Sequence, residues 1–165
     1  MVRSLPGVAL TAELAAYVVS GVSVVVGTRD AQLAPEITRA WGPRVSRDRR
    51  SLSVCVALAG NGHMLDNLRD NGRLAVTFAL PTNYRSIQLW GHCLGTGEPN
   101  REDLAALAVH RDEFARLNET MGVPRAVIET FWQRELQESP VMIKIRFRAE
   151  QIFNQTPGPG AGSPL

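Results

Sequence analysis

LDNLRDNGRLAVTF, residues 65–78, changes its hydrophobic period halfway along. Met64, Leu65 and Leu68 fit a short helix, and Asn71-Gly72 ends it, the glycine supplying the left-handed C-terminal position. From there the period is two. Leu74, Val76 and Phe78 alternate with Ala75, Thr77 and Ala79, the pattern of a strand with one face turned to a core.

The same period extends downstream through Ser86 to Gly97, where Ile87 and Leu89 oppose Gln88 and Trp90. A helical insert follows, at about 101–137. Leu104, Leu107, Phe114, Leu117 and Met121 lie near helical spacing, Val127, Ile128, Phe131, Trp132 and Leu136 make a second stripe, and Gly122 and Pro124 divide the two. Val141, Ile143, Ile145 and Phe147 form the last strand. Upstream, Thr11 is the expected N-cap of a helix that stops near Ser20-Gly21. Val22 to Thr28 reads as a strand buried on both sides, Arg29 to Gln32 as a turn, and Pro35 to Val45 and Ser51 to Leu58 as two more strands. The sum is six strands, one short helix between the third and fourth, and two helices before the sixth. No βαβ alternation appears, so the expected fold is a mainly β (α+β), six-stranded antiparallel barrel with peripheral helices. One domain spans 1–155, and the Pro/Gly-rich tail 156–165 is expected to lack regular structure.

Hydrophobic residues make up 44% of the 165 and charged residues 21%, the balance of a folded globular domain. A formal charge of +2 is too small to imply a polyanionic partner, and no nucleic acid is expected. Arg39, Arg44, Arg47, Arg49 and Arg50 crowd a twelve-residue stretch, which reads as a solvated Arg-rich turn ahead of a phosphate patch. Met1 to Pro6 lead into an amphipathic helix rather than the apolar core of a signal peptide. The uncharged run Leu14 to Thr28 has 15 residues, short of the ~20 of a membrane span. Cys55 and Cys93 form no CxxC pair and suit a reducing compartment, so a cytoplasmic protein with no membrane partner is expected. No acid–base pair, Ser-His-Asp order or nucleophile elbow is found, which argues against a hydrolase and leaves catalytic residues unassigned. His92 and Cys93 point to opposite faces of a strand, His63 and His110 lack ligand spacing, and no metal is expected.

Four stretches together resemble one family. VVVGTRDAQLAPEITRAWGPRV (24–45) looks like the paired first strands, LDNLRDNGRLAVTF the short helix and fourth strand, and YRSIQLWGHC (84–93) the next strand of the pyridoxamine 5'-phosphate oxidase-like FMN-binding split barrels. FNQTPGPGAG (153–162) is similar to the tail of a flavin-binding subgroup. The match runs from about Leu10 to Gln155, and the order of the stretches carries it more than any one motif. The resemblance implies a homodimer with FMN at the interface, the ring across the seam. The phosphate is held by the second and third strands and the start of the short helix.

Carried over by position, the cofactor-binding residues are Arg39 and Trp41 on the second strand, Asn61, Gly62, His63 and Met64 at the helix start, and Arg85, Ser86 and Gln88 on the following strand. The oxidase has a Ser-Arg-Lys run where this chain has Gly62-His63-Met64. Arg39, Arg44 or another Arg would then meet the phosphate, helped by N–H groups of the helix start. Trp41 and Trp90 are candidates to stack on a planar ring. The resemblance implies an FMN-dependent oxidoreductase acting on a small molecule, not necessarily pyridoxamine phosphate. The alternative is a protein that holds flavin or another planar ligand on the same scaffold without turnover.

Overall fold

The computed structural model describes residues 7–138 and 141–165. The elements run α1 (Ala12–Val18), β1 (Ser23–Arg29), β2 (Pro35–Val45), β3 (Leu52–Ala57), α2 (Gly62–Asp70), β4 (Arg73–Ala79), β5 (Ser86–Gly97), α3 (Arg101–Thr120), α4 (Arg125–Glu138) and β6 (Met142–Asn154). All strand pairs are antiparallel, and the strands close into a barrel in the order β1-β2-β3-β6-β5-β4. Alternation puts Val24 and Val26, Val54 and Val56, Val76 and Phe78, Leu89, and Ile145 and Phe147 inside, where each is buried. Met64, Leu65 and Leu68 of α2 pack into that core, and Thr11 caps α1 by accepting the Leu14 N–H at 3.1 Å.

The insert builds a second core on the outer wall of β2 and β3. Trp41, Cys55 and Ala57 face outward there and are covered by Leu107, Phe114 and Ala115 of α3 and Ile128 and Trp132 of α4. α3 runs so close that a Cβ on Gly42, at φ +59°, would lie 2.8 Å from the Leu107 backbone. A capping box starts α3: Asn100 Oδ1 accepts the Asp103 N–H and Asp103 Oδ2 accepts the Asn100 N–H, both at 2.9 Å. The other part of the outer wall, on β1, β4, β5 and the end of β6, is crossed by no helix among the described residues.

Two expectations need correction. The first strand is buried on its inner face only, because Val25 and Gly27 look onto the uncovered wall and are half-buried. The last strand runs on to Asn154, past a bulge at Trp90 and Gly91 of its neighbour. The tail 156–165 forms no helix or strand and is tied down by hydrogen bonds: the Leu165 N–H donates to Ile152, the Asn154 N–H to Ser163, and the Thr156 hydroxyl accepts the Ser86 N–H. The expectation for Met1 to Pro6 lies outside the described residues, as does the side chain of Leu136.

Candidate functional site

The barrel register lays the uncovered wall out in cross-strand rows. One row reads Arg39, Val25, Thr77, Gln88, Phe153 across β2, β1, β4, β5 and β6. The next reads Ile37, Gly27, Ala75, Trp90, Gln151. Small residues stand in the middle of this second row and large ones at its sides. The result is a groove of about 670 Å³ with Gly27 and Ala75 as floor and Ile37 and Trp90 as walls. Both wall residues are exposed, Ile37 at 70% and Trp90 at 49%.

Hydrogen bonds fix the polar side of the groove. Trp90 Nε1 donates to Gln88 Oε1 at 2.6 Å, and Gln88 Nε2 donates to Thr77 Oγ1 at 2.9 Å. One Gln88 amide hydrogen remains for a ligand. Phe153 supports the Trp90 ring at a centroid distance of 5.0 Å. Arg29 and Arg73 bound the groove's far end, and Arg73 Nη1 donates to the buried Glu150 carboxylate at 2.6 Å. A flat apolar floor, an aromatic wall and flanking cations suit a planar ring bearing an anionic group.

The residues named from sequence fall into three places. Arg39 and Gln88 share a row on the uncovered wall, and Gln88 lines the groove. The Trp41–Cys55 ladder leads toward Ala57, whose carbonyl accepts from Asn61 Nδ2 at 2.8 Å, so the exposed Gly62 and His63 lie beyond the end of β3 on the side of Arg39. Trp41 and Met64 are corrections. Trp41 is 2% exposed, edge-on to His110, Phe114 and Trp132, with no open face for a ring to stack on. Met64 is 1% exposed in the barrel core, so its side chain reaches no phosphate.

Arg85 and Ser86 stand away from the groove. The Arg85 guanidinium pairs with Glu13 at 2.7 Å and lies over the Tyr17 ring, while the Ser86 hydroxyl donates to the Tyr84 carbonyl at 2.8 Å. Sequence reasoning missed Gly27, Ile37, Ala75, Arg29 and Arg73. Their shared signal, an outward position on three neighbouring strands, is visible only once the register is known.

The sequence matches no protein-family model and no curated protein. Among solved structures it is similar to HupZ of Group A Streptococcus (16% identity, 93% of this chain and 99% of that one, TM-score 0.53). It is similar also to a pyridoxamine 5'-phosphate oxidase-like protein of Lactobacillus delbrueckii (14%, 88% and 93%, TM-score 0.52). A third is an FMN-binding protein of Syntrophomonas wolfei (14%, 86% and 83%, TM-score 0.51). The chain has the fold of the pyridoxamine 5'-phosphate oxidase-like split barrels.

Proposed function

We propose that the chain binds FMN on its uncovered wall and works as an FMN-dependent oxidoreductase on a small molecule, as a homodimer. The groove between Ile37 and Trp90 supports this reading most directly. It offers an isoalloxazine a floor without side chains at Gly27, a stacking wall at Trp90 and a hydrogen bond from Gln88. Arg39, exposed and in no ion pair among the described residues, would meet the phosphate with backbone N–H groups of Gly62 and His63. The neighbour named as an FMN-binding protein shares this fold.

The flavin would supply the redox chemistry. This chain's own residues bind and orient it, and the apolar groove keeps water off one ring face. A partner barrel laid over the groove would exclude water from the other.

Reconstitution with FMN tests the reading. The wild-type protein should purify yellow or turn yellow on adding FMN and quench flavin fluorescence. Arg39→Ala should weaken binding by about 2 kcal/mol, roughly thirtyfold, since one charge-assisted contact to phosphate is lost. Trp90→Ala should weaken it by about 1 kcal/mol or more. A wild-type protein that binds no flavin would sink the proposal. Equal small losses for Arg39, Arg44, Arg47, Arg49 and Arg50 would remove Arg39 from it.

A further inference from the structure

Arg44 of β2, Ser53 of β3 and Arg146 of β6 stand in register on the outer wall, on strands the flavin groove does not use except at the far ends of β2 and β6. With Lys144, Ser46 and Ser51 they line an open cavity of about 260 Å³. Asp103, 1% exposed, sits at its edge. It accepts from Arg44 Nη1 at 2.6 Å, Lys144 Nζ at 2.7 Å and the Asn100 N–H at 2.9 Å. Glu102 also accepts from Arg44.

Three donors occupy the buried carboxylate, which anchors Arg44 and Lys144 at the cavity's edge. Each cation keeps further N–H groups free: Arg44 has used two of five and Lys144 one of three. Arg146 is exposed and makes no ion pair among the described residues. Three cations against two carboxylates leave the cavity positive. Its centre is small, at Ser53, and its β5 side is open: Lys144 and Arg146 face Gly97 and Gly95, where an added Cβ would meet nothing within 4 Å. Anchored cations from two strands around a hydroxyl, with open access, form a receptor for a tetrahedral oxyanion. Guanidinium forks match two oxygens of a phosphate at once.

We propose that this cavity binds the phosphate group of a small molecule, at a second site separate from the flavin groove. The full-length protein is titrated calorimetrically with inorganic phosphate, with phosphoserine, and with sodium chloride at matched ionic strength. Saturable binding of phosphate or phosphoserine is expected, with no response to chloride. Arg146→Ala should weaken it at least tenfold, Arg146→Lys should restore part of the affinity, and Arg47→Ala, in the neighbouring turn, should leave it unchanged. Inorganic phosphate binding as tightly as phosphoserine identifies the free anion as ligand; tighter phosphoserine identifies a phosphorylated metabolite. Arg146 is at the surface, so its variants fold. Binding of neither probe overturns the proposal, as does an equal response to chloride or equal losses for Arg146→Ala and Arg47→Ala.

Discussion

Asp103 holds its charge where water hardly reaches it. Burial pushes its carboxyl up, but Lys144, the Asn100 N–H and Arg44 outweigh that and hold it below the ordinary value of 3.8. A depressed carboxyl in the folded state contributes stability that is full above the unfolded value and is lost as pH falls through the folded one. Asp103→Asn keeps the shape and removes the charge. It should lower urea stability at about pH 7 by ~1–2 kcal/mol, discounted because Arg44 and Lys144 are partly exposed. Wild type should converge on the variant below about pH 4, and parallel curves down to about pH 3 would contradict this. His110 acts in the same direction at higher pH. Its Nδ1 accepts the Gly42 N–H at 3.2 Å, so Nε2 carries the proton donated to the Val22 carbonyl at 2.8 Å. Burial lowers its pKa from the ordinary 6.5, and the charge of Arg111 adds to this against the hydrogen bond to the Val22 carbonyl. The unfolded chain then binds a proton that the folded chain refuses, so stability should fall as pH drops below 6.5 toward the depressed folded value. His110→Gln, which does not titrate, should remove that slope in denaturation curves.

Among the elements, two glycines separate folding from binding. A Cβ on Gly91 would sit 2.1 Å from the Arg148 carbonyl, backbone against backbone at the β5–β6 bulge. Gly91→Ala must spread those strands and should destabilise the barrel by about 3 kcal/mol. A Cβ on Gly27 meets nothing closer than 3.9 Å but rises from the groove floor. Gly27→Ala should leave the unfolding free energy from urea titration within about 0.5 kcal/mol of wild type while weakening FMN, and a loss of stability without a change in affinity would show that Gly27 serves packing alone. The strands themselves were legible, because Leu74, Val76 and Phe78 carry the period of two and Val22 to Val26 is a β-branched run. Which outward residues stand side by side was not. Gly27, Ala75 and Trp90 are brought into one row by pairings between residues up to 48 positions apart, and no local period encodes them. The same holds for the insert. Its two stripes announced helices but not that they would land on Trp41 and close it off, and a Pro/Gly-rich tail gave no sign that Thr156 would bond to Ser86.

At the scale of the whole molecule, the insert covers the outer wall at Trp41, Cys55 and Ala57 and leaves Ile37, Trp90, Val25 and Phe153 on or near the surface. An apolar strip rimmed by Arg29, Arg39 and Arg73 has the composition of an interface, with a hydrophobic centre and a charged edge. A second barrel laid on it would bury roughly 800 Å² per partner if the contact is of ordinary size. A homodimer is therefore expected, and sedimentation at micromolar concentration should show twice the 18.0 kDa of one chain. Ile37→Glu and Trp90→Glu each place a charge in the centre of the strip without touching the core. Both should yield folded monomers. Dimer and cofactor should also be linked: a flavin held between two copies stabilises their association by mass action, so added FMN should lower the dimer dissociation constant. Riboflavin, lacking phosphate, should do so less at equal concentration because it forgoes the contact with Arg39. A wild-type protein that sediments only as 18.0 kDa with and without FMN would remove the dimer. A monomeric Ile37→Glu variant that still binds FMN with wild-type affinity would place the whole flavin site within a single chain.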